Sequence, residues 1–284
     1  MGGQLDPSKI IKGFNPTNPH VGDAIIATFF WFGTPGGVTG NIIDSVTDHL
    51  TQVGLPRVGN KYNFVEFVTN GNVSMATYVA TNVQNFPDAG TDPSTILAVR
   101  ANLRVPVADG GVLLSAWLGV AGVSTQALGE HRSASGTGTP FVLTGPTTAD
   151  PGAISVNAGA LAYGVSASNP PATVGGPPGW TSIATQGDLT MNSDGRYDAQ
   201  FTVSSSGGTA EPQWSWFFTE PGFWLATVLA LNAAPTTGNL TVTTSTTGEN
   251  LPATDYTVTL DGSVSQSIAT SGTVTFSALA PGAH

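Results

Sequence analysis

Two hydrophobic patterns recur along the chain. One is strict alternation: in "QWSWFF" (213–218), Trp214, Trp216 and Phe218 share one face, while Gln213, Ser215 and Phe217 share the other. The second is a continuous apolar run, as in "AIIATFFWF" (24–32) and "GGVLLSAWLGV" (110–120). Alternation is the period of a strand buried on one face, and an unbroken run of this length is that of a strand buried on both. Read this way, the chain predicts strands over 24–32, 62–68, 73–82, 96–103, 111–120, 141–143, 153–166, 181–186, 197–203, 211–218 and 223–232. The stretch "NIIDSVTDHLTQVG" (41–54) fits a strand and turn or one short helical turn. Between these runs stand "TPGG", "TNGN", "FPDAGTDP", "VADGG", "SNPPATVGGPPG", "NSDG" and "SSSGG". Each supplies a glycine for positive φ or a proline that fixes φ and withholds a donor.

Many short strands without a convincing long helix predict an all-β protein: an antiparallel jelly-roll-type β-sandwich over 21–232. Residues 1–20, rich in Pro, Asn and Gly, read as an extended N-terminal arm. After the linker "NAAPTTG" a second unit begins, in which Leu240, Val242, Tyr256, Val258, Leu260, Val274 and Phe276 alternate with Thr, Ser or Asp. "DG" at 261–262 has the residues of a type I′ hairpin turn. Over 233–284 this reads as a small Ig-like (prealbumin-like) sandwich, and an incomplete one. Three or four strands are visible where about seven normally close such a fold. A chain that continues beyond His284, a strand donated by a partner, or a frayed edge would each account for the missing part.

Composition narrows the function classes. The 284 residues include 36 Gly and 20 Pro, and only 9% are charged. Net charge is −10, with three Lys and five Arg in no cluster. Phosphate neutralisation needs such a cluster, so nucleic-acid binding is not expected. No apolar run approaches the roughly 20 residues of a membrane-spanning helix, so membrane insertion is not expected either. Without cysteine there is no disulfide or thiolate chemistry. The N-terminus lacks the basic start and apolar stretch of a secretory leader. An extracellular-looking β body with such an N-terminus fits either a mature fragment or a virion protein assembled inside a host and acting outside it.

Two stretches carry a resemblance. "TTSTTGENLPATDYTVTLDG" with "IATSGTVTFSALAPGAH" resembles a repeat of bacterial and phage surface proteins: a TSTTG start, a Tyr-x-Val-x-Leu-Asp-Gly hairpin and a closing Leu-x-x-Gly-x-His. More loosely, Gly22-Asp23, Ser45–Asp48, Gly179-Trp180 and Trp224–Leu231 are similar to sandwich modules in minor tail and other virion proteins of actinobacterial phages and in bacterial adhesins. The resemblance implies a structural and adhesive virion component, foremost a phage minor tail protein. It would be assembled in the host cytoplasm and carried on the tail, serving tail assembly or host attachment. Other virion proteins and further copies of itself would be its partners, and a host-surface glycan its receptor. The alternative is a carbohydrate-binding or glycan-cleaving module of a bacterial surface protein.

Catalysis is not expected. A Ser-His-Asp triad needs a base beside a nucleophile, yet none of His20, His49, His131 and His284 adjoins a G-x-S-x-G elbow, and "SASGTG" after His131 reads as a flexible loop. Glycoside hydrolysis needs two facing carboxylates, for which Glu66, Asp198, Glu211 and Glu220 are the available residues. "NSDGRYD" places oxygen ligands at Asn192, Asp194 and Asp198, a candidate calcium site; a plain hairpin turn is the competing reading. "DSVTD" (Asp44, Asp48) and "PDAGTD" (Asp88, Asp92) raise the same question. Flat aromatic rings stack on sugars, which makes Trp180, Trp214 and Trp216 candidate glycan contacts, with burial in the core as the competing reading, while Trp31, Trp117 and Trp224 sit in apolar runs and read as core.

Overall fold

The computed structural model describes residues 6–33, 38, 40–71, 73–187, 195–235, 237–249, 251, 254–279 and 284. The chain forms two compact units, Met1–Ala234 and Pro235–His284. Every strand pair is antiparallel, and the protein is an all-β sandwich protein.

The first unit opens with β1 (Lys9–Gly13), β2 (Ala24–Phe32), β3 (Ile43–Leu50), β4 (Asn63–Asn70), β5 (Val73–Ala80), β6 (Leu97–Leu103) and β7 (Asp109–Trp117). They make a three-stranded sheet, β1-β6-β3, and a four-stranded sheet, β4-β5-β2-β7. After a helical turn (α1, Ser124–Ala127) come β8 (Leu128–Gly138), a second turn (α2, Phe141–Thr144), β9 (Thr147–Ala149), β10 (Ile154–Val156) and β11 (Leu161–Asn169). Then follow β12 (Thr173–Gly175), β13 (Thr181–Gly187), β14 (Arg196–Val203), β15 (Gly208–Ala210), β16 (Trp214–Phe217) and β17 (Gly222–Leu231). These give a five-stranded sheet, β13-β14-β11-β17-β8, a three-stranded sheet, β12-β16-β9, and the pair β10-β15.

The sheets stack in four layers because the central strands are apolar on both faces. On β2, Ile25, Ala27, Phe29 and Trp31 pack toward β1-β6-β3 with Leu97, Val99 and Ala101. Ala24, Ile26 and Phe32 point the other way, onto Leu161, Tyr163, Val165 and Leu229 of the five-stranded sheet. That sheet's far face carries Ala162, Val228 and Ala230 against β10-β15, and Ala226 against Trp214, Trp216 and Phe218. Full burial of one large apolar side chain contributes about 1.5–3 kcal/mol, so the middle layer alone outweighs any surface ion pair.

One strand order occurs twice. Replacing β1 to β7 by β9, β11, β12, β13, β14, β16 and β17 turns β1-β6-β3 and β4-β5-β2-β7 into β9-β16-β12 and β13-β14-β11-β17, the order observed. Register agrees as well. Ala24 faces Trp117 where Leu161 faces Leu231. A bulge interrupts β4 between Phe64 and Glu66, and one interrupts β13 between Ser182 and Ala184, at matching positions. The two sandwiches thus meet through equivalent faces, as subunits do across an isologous interface. Among the described residues, strand β8 and the pair β10-β15 have no counterpart in the first sandwich.

Several local expectations change. Part of the expected arm is strand β1, held because Ile10 is buried between its two lysines and pairs with Ala101. Asn18 pins the following segment, donating from Nδ2 to the carbonyls of Pro87 and Thr95 and accepting from Leu97 N–H. The expected loop after His131 lies within β8, paired along β17. Its glycines fit overlying rings: a Cβ on Gly136 would stand 2.6 Å from Trp224 Cζ2. Residues 141–143, expected as a strand, form the helical turn α2, with Val142 and Leu143 exposed.

In the second unit, β18 (Gly238–Ser245) pairs with β21 (Ser271–Leu279), and β19 (Tyr256–Leu260) with β20 (Val264–Ile268). Among its described residues, Leu260, Ile268 and Phe276 are the buried apolar ones. Asp261 (φ 48°) and Gly262 (φ 67°) both have positive φ, and Ser263 N–H donates to the Leu260 carbonyl, the geometry expected of a type I′ turn.

Candidate functional site

The carboxylates singled out from the sequence do not converge. Asp198 is buried between the five-stranded sheet and β16, where its Oδ2 accepts from Trp214 Nε1 and from Gln200 Nε2, both at 2.7 Å. Asn192 and Asp194, its proposed partners in a calcium loop, lie outside the described residues. Among the described residues no group of three or more His, Asp or Glu is placed to hold a metal ion. Glu211 and Glu220 are exposed, and Glu66, on β4 of the neighbouring four-stranded sheet, is paired with His131. Asp48 is fully buried and caps a loop, accepting from the N–H groups of Gly59 and Asn60 and from Asn60 Nδ2. Asp88 holds Val21 N–H, and Asp92 holds Ser94. These are structural duties.

The glycan candidates need correction. Trp214 and Trp216 have no exposed surface. Their Nε1 donors are spent on Asp198 and Ser166, so neither presents a face to a sugar. Trp180 is half-buried against the Ile154–Val156 cluster. Of the expected core tryptophans, Trp31 is buried, whereas Trp117 and Trp224 are each partly exposed.

The two rims between the sandwiches differ. On one side β8 lies against β4. His131 Nδ1 is 2.8 Å from Glu66 Oε2, and Asn70 Nδ2 donates to the Gly136 carbonyl at 2.8 Å. On the other side, between β7 and β13, there is instead a groove of about 520 Å³. Its wall is Leu114, Ser115, Ala116 and Trp117 in succession. Successive strand residues point to opposite faces, so four in a row line a groove only along the strand's edge. Ser182, Ile183 and Phe201 also line it, with Phe14, Thr17, Asn18 and Pro19. Trp117 is fixed by donating Nε1 to Ser115 Oγ at 2.8 Å and by edge contacts with Tyr163 and Phe201.

Burial without charge defines this region. Burial pushes the Tyr163 phenol up to about 12, although hydrogen bonds with Ser115 and Thr28 draw it back. Among the described residues no acid, base or amine lines the groove, so the chemistry these residues offer is that of binding: apolar and aromatic contact, hydroxyls, and the backbone of an edge strand. The pairing of β7 and the place of Ile183 at a bulge are properties of the sheet, and no residue pattern in the sequence pointed to them.

No family model, no curated protein and no solved structure matches the chain.

Proposed function

We propose that the chain is a structural and adhesive component of a virion, a phage minor tail protein that contributes to tail assembly or host-surface attachment. The observation that carries this reading is the doubled sandwich. Two equivalent β-sandwiches share one continuous apolar layer, which makes a stiff block suited to bearing load and presenting surfaces. Its buried carboxylates serve that framework: Asp198 holds Trp214, and Asp48 holds the loop at Asn60. The second unit adds strands whose faces carry threonine pairs, Thr241 with Thr275 and Thr243 with Thr273, a surface for protein or glycan contact. In this reading the partners are other virion proteins and further copies of the chain, and host-surface glycans are the target. The competing glycan-module reading loses two of its three tryptophans to the core.

Purified particles test the proposal. Quantitative mass spectrometry should find the chain at a fixed ratio to the major tail protein, and gold-labelled antibody should decorate the tail. A chain missing from particles, or found only on bacterial surfaces, refutes it.

A further inference from the structure

We infer that the free edge of β7 is a docking site for an extended strand supplied by another protein, in the position that β8 fills in the second sandwich. This goes beyond the virion reading and does not depend on it. The internal repeat supplies the argument. In the matched register Ser115 corresponds to Leu229, and Leu229 pairs with His131 of β8. Strand β8 therefore lies in the cleft between β17 and β4. The corresponding cleft in the first sandwich lies between β7 and β13, and it is the groove. Among the described residues β7 pairs with β2 alone.

Burial follows the presence of the extra strand. Val65, the bulge residue of β4, is 5% exposed, while its counterpart Ile183 in the groove is 38% exposed. An open strand edge invites pairing, and proteins ordinarily blunt it with charge or proline. Along Leu114–Trp117 β7 has neither.

The occupant's chemistry follows from the same match. β8 places His131 against Glu66, but the residue matching Glu66 is Ala184, so an incoming strand needs no charged group there. Backbone hydrogen bonds to β7 would supply affinity, and alternate side chains meeting Ile183 and Trp117 would supply selectivity. The groove, lined by Leu114–Trp117 and, among the described residues, by no charged side chain, fits an uncharged strand with small or apolar side chains. That is unlike the part of β8 that the register matches to it, Leu128–Arg132, which carries Glu130, His131 and Arg132.

The test selects peptides of β8's length, 11 residues, from a displayed random library against the full chain, then measures the synthesised winners. Ile183→Lys puts a charge into the groove at an exposed bulge; Val203→Lys, at a site 57% exposed and outside the groove, is the control. Selected peptides should slow deuterium exchange at residues 113–117. They should lose about tenfold or more in affinity to Ile183→Lys, because burying an unpaired charge is costly, and little to Val203→Lys. A selection yielding no peptide that protects β7, or peptides indifferent to Ile183→Lys, overturns the inference. So does a groove that instead binds maltohexaose or cellohexaose, or that mediates self-association of the chain, when either is abolished by Ile183→Lys.

Discussion

Asp198→Ala separates a carboxylate that holds the fold from one kept for chemistry. The side chain is 2% exposed, and its Oδ2 accepts from Trp214 Nε1 and Gln200 Nε2. Alanine leaves both donors without that acceptor in a layer closed to water. A buried polar group without a partner costs about 1–3 kcal/mol, so the two together cost about 2–6 kcal/mol. For a unit of this size that corresponds to a fall of about 10 °C in Tm. Asp198→Asn retains a carbonyl acceptor and should cost about 1–2 kcal/mol on the same grounds. All six tryptophans lie in the first unit, so denaturant unfolding followed by tryptophan fluorescence reports on that unit without interference from the second. A calcium ligand would behave differently: millimolar calcium would raise the Tm of the unaltered protein, and Asp198→Ala would abolish the increment. Asp198→Ala within about 1 kcal/mol of the parent, less than one lost buried hydrogen bond, or a calcium-dependent increment, refutes the structural role.

Alkaline pH should destabilise the first unit. Burial raises the phenols of Tyr62, Tyr78, Tyr163 and Tyr197, with Tyr163 reaching about 12. A raised folded pKa contributes stability that is complete below the unfolded value of 10.0 and is lost as pH climbs toward 12. Phenolate absorbance should therefore rise together with loss of tryptophan signal; reversible ionisation of these four near pH 10 in the intact fold refutes the burial. Gly136→Val should destabilise by about 1–3 kcal/mol through overpacking against Trp224, although strand propensity alone predicts a gain; thermal melts decide the sign. His131→Ala should cost no more than about 1 kcal/mol, since the pair with Glu66 is partly solvated. It should speed exchange at the β8 amides near residue 131, and an unchanged exchange pattern counts against the β4–β8 contact.

Much of the fold was legible because strands advertise themselves locally. Alternation in "QWSWFF" put Trp214, Trp216 and Phe218 on one face, and all three are buried. The unbroken run at 24–32 marked β2, which is sandwiched between two apolar layers. The Asp261-Gly262 turn followed from the φ angles those residues tolerate. Strand β8 was not legible, because its glycines read as loop-formers until Trp224 and Phe218 are seen lying over them. Nor was β1, whose single buried side chain, Ile10, leaves too short a pattern.

The sequence by itself determined that the chain would form strands, where most of them run, and which side chains of an alternating strand share a face, because those depend on neighbours two residues apart. Only the tertiary structure decided which strands pair, that one sandwich occurs twice, that Asp198 is enclosed, and that β7 keeps an open edge. Those outcomes rest on backbone hydrogen bonds between distant segments, which any side chain can join. The repeat therefore survives in register while its residues diverge, with Thr28 standing where Val165 does, Phe30 where Ala167 does, and Ala76 where Asp198 does.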